Sequence, residues 1–235
     1  LLKLFILFVF LLPSIGLASL GSCLAKLGLY NPVVESRGLG SGNNAYLTLE
    51  QRADGSFRKL KRYKYDQESF LASDVRDANF AADVLRNTQG VGAARYKRTM
   101  ATSLSFKDEV EIEYFEGDTV QKKLESLDKN AAAQLREQYS GAVRKMLHSI
   151  LIHKNVRRVV LEPDGTRKEP LELKSAEDLM NLPEAYVELI DKGILSFDVY
   201  EKAMMPNSEK EVHSYYAKPD NFIHTPEGDF VMIDP

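Results

Sequence analysis

The chain has 235 residues, enough for one large domain or two small ones. Its 44% hydrophobic and 28% charged residues exclude a wholly disordered polypeptide. With 31 basic and 34 acidic side chains, a net charge of −3, neither nucleic acid nor an anionic membrane is the default partner, and the single cysteine, Cys23, excludes an internal disulfide framework and a cysteine-built zinc site.

Residues 1–18 carry one charge, Lys3, then an apolar run from Leu4 to Leu12, Pro13 and the small-residue stretch Gly16-Leu17-Ala18. That is the layout of a secretory signal cleaved after Ala18. The run is short beside the roughly 20 apolar residues that span a bilayer. A signal anchor is the alternative, so membrane attachment is expected only if the segment is retained. Leu20-Gly21-Ser22-Cys23 is loosely similar to a bacterial lipobox, which would make Cys23 a lipidated terminus. The expected destination is the secretory pathway.

Residues 33–50 and 56–64 read as strands joined by the turn Ala53-Asp54-Gly55, the first carrying Gly38, Gly40 and Gly42. A helix is predicted over 74–89, capped by Ser73, closed by Gly90 and burying Val75, Ala78, Ala82 and Leu85. Two strands are predicted within 101–115, Thr102 to Phe106 and Val110 to Phe115. A long helix follows over 131–152, where Leu135, Tyr139, Ala142, Met146 and Ile150 recur at helical spacing. Pro163-Asp164-Gly165 joins two short strands between Val156 and Leu173. Ser175 and Asp178 form a capping box, and Pro183 opens a helix ending at Gly193. A last hairpin runs from Asn221 to His224 and from Asp229 to Asp234. The order implies an α+β fold of two lobes.

Three segments carry chemistry. Gly38-Leu39-Gly40-Ser41-Gly42-Asn43-Asn44-Ala45 lies between strands, where glycines allow close backbone approach to phosphates, although a plain flexible hairpin reads the same way. No helix follows directly, which excludes a Rossmann or Walker loop. Lys59 and Lys61 share one face of the next strand, and either can reach a phosphate; each alone also suits a solvated basic edge strand. Finally, Asn221 and Asp234 stand 13 residues apart at the ends of the last hairpin and can converge on one magnesium ion, which takes few, hard oxygen ligands when bound to phosphate.

Lys218-Pro219-Asp220-Asn221 through Ile233-Asp234 resembles the catalytic loop, following strands and metal-binding Asp of protein kinases. Ile112-Glu113-Tyr114-Phe115-Glu116-Gly117 looks like the kinase hinge, and the Gly38 loop and Lys61 precede it in the right order. The resemblance covers residues 37–235 and implies a β-rich N-lobe over 30–117 and a minimal or truncated helical C-lobe over 118–235, with an insertion at 156–205. It further implies ATP and Mg²⁺ as ligands and transfer of the γ-phosphate to a protein Ser, Thr or Tyr hydroxyl. Carried over, Gly38, Gly40 and Ser41 cover the phosphates, with Asn43 in place of a third glycine, and Ala45 meets the adenine. Lys61, preferred to Lys59 because Leu60 precedes it, holds the phosphates. The backbone from Glu113 to Phe115 reads the base edge, Lys218 is the loop lysine, and Asn221 and Asp234 hold the metal.

The departures matter equally. Tyr216 stands where kinases carry the catalytic Asp, and a phenol of pKa about 10 accepts a proton poorly near pH 7. Ser214 and Tyr215 replace the residues before it. The helix carboxylate expected to pair with Lys61 near Ala81 is absent, leaving Asp77 as the nearest candidate. Pro235 replaces the Phe after the metal Asp, and some compact secreted effector kinases end near this point too. A secreted pseudokinase that binds a protein partner is the second expectation, and a small-molecule phosphotransferase the third.

Overall fold

The computed structural model describes residues 31–41, 45–63, 68–100, 108–163, 169–202 and 209–235. The leader-like segment 1–18, Cys23, Asn43 and the expected strand Thr102–Phe106 lie outside the described residues. The described chain is α+β.

It opens with three strands, β1 (Val33–Ser41), β2 (Ala45–Arg52) and β3 (Phe57–Tyr63). Helix α1 (Glu68–Leu85) follows, then β4 (Val91–Ala93), β5 (Tyr96–Met100) and β6 (Asp108–Ile112). These give an antiparallel sheet of order β1-β2-β3-β6-β5, so β3 is central and not an edge. Alternation sorts its side chains. Ala45, Leu47 and Leu49 lie opposite Tyr63, Lys61 and Lys59 on one face, which continues through Val110 and Ile112. The other face carries Arg58 and Arg62, paired with Glu50, Glu109 and Glu111; the tightest contact is Arg62 Nε to Glu109 Oε2 at 2.6 Å. Paired arginines explain how a basic strand sits inside a sheet.

Helix α1 begins six residues before the expected Asp74, and ends at Leu85 ahead of Gly90, which has φ +82°. Its buried stripe holds the expected Ala78, Ala82 and Leu85. Strand β6 stops at Ile112, leaving residues 113–117 as a strap without regular structure. Beyond it come β7 (Asp118–Thr119), α2 (Val120–Ser126) and the long α3 (Lys129–Leu151). Asp128 caps α3 by accepting from the backbone N–H of Asn130 and Ala131, and all five stripe residues expected on it are buried.

Strands β8 (Val156–Pro163) and β9 (Leu171–Leu173) form the expected hairpin. Helix α4 (Ala176–Met180) carries the Ser175–Asp178 capping box, and α5 (Glu184–Lys192) ends at Gly193 with φ +67°. Pro183 precedes α5 as its cap residue, one position earlier than expected. Strands β10 (Leu195–Lys202) and β11 (Glu209–Ala217) then complete a sheet of order β11-β10-β8-β9. The described strands of 156–205 therefore belong to a four-stranded sheet that continues to Ala217. It is more than a hairpin with helices.

The turn Pro219–Asn221 leads into β12 (Phe222–His224) and β13 (Phe230–Met232), the expected last hairpin. These two strands are sandwiched in a third sheet, with β7 beside β12 and β4 parallel to β13. Two apolar clusters form. One gathers α3, the β8–β10 sheet, Phe222, Phe230 and Met232; the other gathers the Lys61 face of the first sheet, Ile223, Val231 and Ile233. Among the described residues no helix is long and apolar enough to cross a membrane.

Candidate functional site

Three distant segments meet at Lys61. The face that β3 shares with Leu47 and Val110 turns the lysine toward α1 and the residue after β13. Its Nζ donates to Asp74 Oδ2 at 2.7 Å and to Asp234 Oδ1 at 2.8 Å. Burial works against the ammonium, but the Asp234 and Asp74 carboxylates overcome it and hold the Lys61 pKa above its ordinary value. The hydroxyl of Tyr63, two residues along β3, donates to Asp74 Oδ2 as well. Burial first, then the Asp74 charge, push the Tyr63 phenol far up, so it stays a donor. Tyr96 on β5 donates to the Ile233 carbonyl at 2.6 Å and lies 3.5 Å from Asp234 Oδ1, fixing the backbone that presents this carboxylate.

The carboxylate that meets Lys61 is Asp74, and the expected Asp77 does something else. Asp77 Oδ1 lies 2.9 Å from His213 Nδ1, its Oδ2 accepts from the Ser214 N–H, and its carbonyl accepts from the Tyr215 hydroxyl at 2.7 Å. Three residues along a helix shift a side chain by about 4.5 Å along the axis and about 60° around it, and here the two acids reach different partners. The expected helix start at 74 would have left Asp74 as an end residue. The actual start at Glu68 puts it inside α1, within reach of β3.

Lys59 faces the same side as Lys61, opposite Leu49 and Ile112. It is 7% exposed and makes no hydrogen bond or ion pair among the described residues. Burial lowers its pKa, Asp234 partly offsets this, and Lys61 adds to it.

At the other end of the site, the Ile233 N–H donates to the Asn221 carbonyl at 2.8 Å, so the residue before Asp234 rests against Asn221. Asn221 Nδ2 donates to the Tyr216 carbonyl at 2.9 Å, as does the Lys218 N–H at 3.0 Å. This fixes the amide nitrogen toward Tyr216. The Lys218 ammonium lies 5.5 Å from the centre of the Tyr216 ring. Among the described residues no group of three or more His, Cys, Asp or Glu gathers to hold a metal.

Gly38 and Gly40 lie on β1 opposite Thr48 and Leu47, with a register shift between them, and a Cβ on Gly38 would meet nothing within 4 Å. Ser41 pairs with Tyr46 at the end of β1. Ala45 is buried opposite Tyr63 in the cluster that includes Ile233. In the strap, the Glu113 N–H donates to the Arg95 carbonyl at 2.9 Å and its Oε2 accepts from the Arg95 N–H at 3.1 Å. Phe115 packs against the second cluster. A cavity of about 350 Å³ lies against Glu113 and Phe115, between Arg86, Arg95 and Val231, and takes in neither Lys61 nor Asp234.

No protein-family model and no curated protein sequence matches this chain.

Proposed function

We propose that this chain is a two-lobed, protein-kinase-like nucleotide-binding protein with ATP as its ligand. The observation that carries the reading is the convergence of Lys61 with Asp74 and Asp234, which lie 13 and 173 residues away in sequence. A lysine held between two carboxylates, one on a helix and one after the last hairpin, is the arrangement that positions phosphates and metal in phosphoryl transfer. In this reading Lys61 orients the α- and β-phosphates, with Asp74 in the part first assigned to Asp77. The backbone of Gly38, Gly40 and Ser41 covers the phosphates, and Ala45 and the strap from Glu113 to Phe115 flank the base. Asn221 and Asp234 would hold Mg²⁺, which when bound supplies neutralisation of phosphate charge. The leader-like residues 1–18 support secretion.

Tyr216 favours a second reading. At the position of the catalytic base it offers a phenol, and loss of a general base costs typically ~10²–10⁴ in rate. Phosphoryl transfer to a protein hydroxyl would be slow, or the chain would act as a secreted pseudokinase that binds a protein partner. The pseudokinase reading holds with or without ATP.

Thermal unfolding tests this directly. ATP with Mg²⁺ should raise the melting temperature in a concentration-dependent way, because a ligand of the native state stabilises it by mass action. Asp234→Asn should remove the magnesium-dependent part of the shift. No shift with ATP and Mg²⁺ would overturn ATP as the ligand.

A further inference from the structure

Lys59, on the Lys61 face of β3, is a charged group that the proposed function does not use. The residue is buried, 7% exposed, and its ammonium has no hydrogen-bond or ion-pair partner among the described residues. Burying a cation without an acceptor is costly. The residue is not held there by an ion pair, as Lys61 is. Asp234 supplies only a favourable field, and Lys61 an unfavourable one.

Its place along the strand says which part of a ligand it would meet. Lys61 lies opposite Val110, whereas Lys59 lies opposite Ile112, the last residue of β6 before the strap. Lys59 is the strap-side lysine, and Lys61 the carboxylate-side one. If the strap flanks the base, as the proposed function has it, Lys59 faces a base edge and Lys61 faces phosphates.

An ammonium donates three hydrogen bonds and accepts none. A 6-aminopurine turns a donor amino group beside its N7, which leaves such an ammonium only one acceptor. A 6-oxopurine turns two neighbouring acceptors, O6 and N7, and lysine or arginine to that pair is the commonest specific contact made to a base. We infer that Lys59 makes the cleft selective for 6-oxopurine nucleotides, guanine above all, over adenine nucleotides. This rests on the nucleotide reading of the same site and sharpens its substrate class.

The experiment measures dissociation constants of the full chain for ATP, GTP and ITP, each with Mg²⁺, in wild type and Lys59→Met. ITP keeps the 6-oxo group without the 2-amino group of guanine. Wild type should bind GTP and ITP about tenfold more tightly than ATP, the low-to-middle range of one good base contact. Lys59→Met keeps the apolar stem and removes the charge, so the preference should vanish, with GTP and ITP losing more affinity than ATP. The apo variant should melt no lower than wild type, because it loses an unpaired buried charge. Equal wild-type affinities, or a preference unchanged in the variant, would overturn the inference and leave nucleotide binding standing. A variant that loses ATP and GTP equally would overturn it too, placing Lys59 on the shared phosphates. If none of the three nucleotides binds wild type, the nucleotide reading itself falls, and this inference with it.

Discussion

In the proposed function, Tyr216 decides whether phosphate is transferred. Its carbonyl is occupied twice, by the Asn221 amide and the Lys218 N–H, so the backbone there is tied to the turn that carries Asn221. The tie is made through main chain, which a change of the Tyr216 side chain leaves in place. Tyr216→Asp should place a carboxylate at the base position and raise the rate of phosphate transfer to a peptide mixture by ~10-fold or more, a fraction of what general-base catalysis typically gives. Radiolabel transfer from the bound nucleotide is the measurement. An unchanged, measurable rate would mean that another group removes the proton, and Asp220→Asn should then silence it. No transfer by either form, with nucleotide still bound, would establish the pseudokinase reading. The residue scale is also where the sequence was most and least informative. Lys61 and Asp234 were readable because their types and order resemble a known pattern. Asp74 was not, because its value depends on where α1 begins. Lys59 was readable as sharing Lys61's face, but its lack of a partner among the described residues depends on elements packed from elsewhere in the chain.

At the scale of elements, local rules settled what is local. The Ser175–Asp178 capping box, the stripe of α3 and the last hairpin all follow from spacing within a short stretch. What failed were pairings set by distant chain. Strand β5 reads Tyr-Lys-Arg-Thr-Met and shows little apolar alternation; it is held as a strand by β6 alone at the sheet's end. Strand β10 does alternate, with Leu195, Phe197 and Val199 buried, yet its partners β8 and β11 lie on either side in sequence, beyond what a local pattern specifies. One element end reaches the site directly. Gly193 closes α5 with φ +67°, and a Cβ there would come within 2.9 Å of the Pro219 ring and 3.0 Å of Tyr139 Cε1. Left-handed backbone costs a non-glycine residue about 1–3 kcal/mol, and the contact with Pro219 adds to it. Gly193→Ala should therefore lower stability in urea unfolding by about that amount. It should also weaken magnesium-dependent nucleotide binding, because Pro219 belongs to the turn that carries Asn221. A destabilised variant with unaltered binding would separate the cap from the site.

The whole molecule is joined through two elements. Helix α1 gives Ala81 and Leu85 to one apolar cluster and Leu71 and Ala78 to the other. Strand β13 alternates between them, with Phe230 and Met232 in the first and Val231 in the second. A strand covered on both faces reads as a continuous apolar run, and Phe-Val-Met is one. The buried Asp77, with His213 and Tyr215 as partners, adds polar ties between α1 and β11. Leaving a buried hydrogen-bonding group without its partner costs about 1–3 kcal/mol, so α1 is held against β11 as well as against both clusters. The two clusters should accordingly unfold as one cooperative unit. Native-state hydrogen exchange tests this, with the slowest amides of β6 reporting one cluster and those of α3 the other. Both sets should give the same opening free energy. Val231→Ala, which removes methyl groups from the second cluster only, should lower both by about 2 kcal/mol, the transfer cost of the lost groups plus a residual cavity. If only the β6 amides respond, the clusters open independently, and the coupling through α1 and β13 is weaker than their packing indicates.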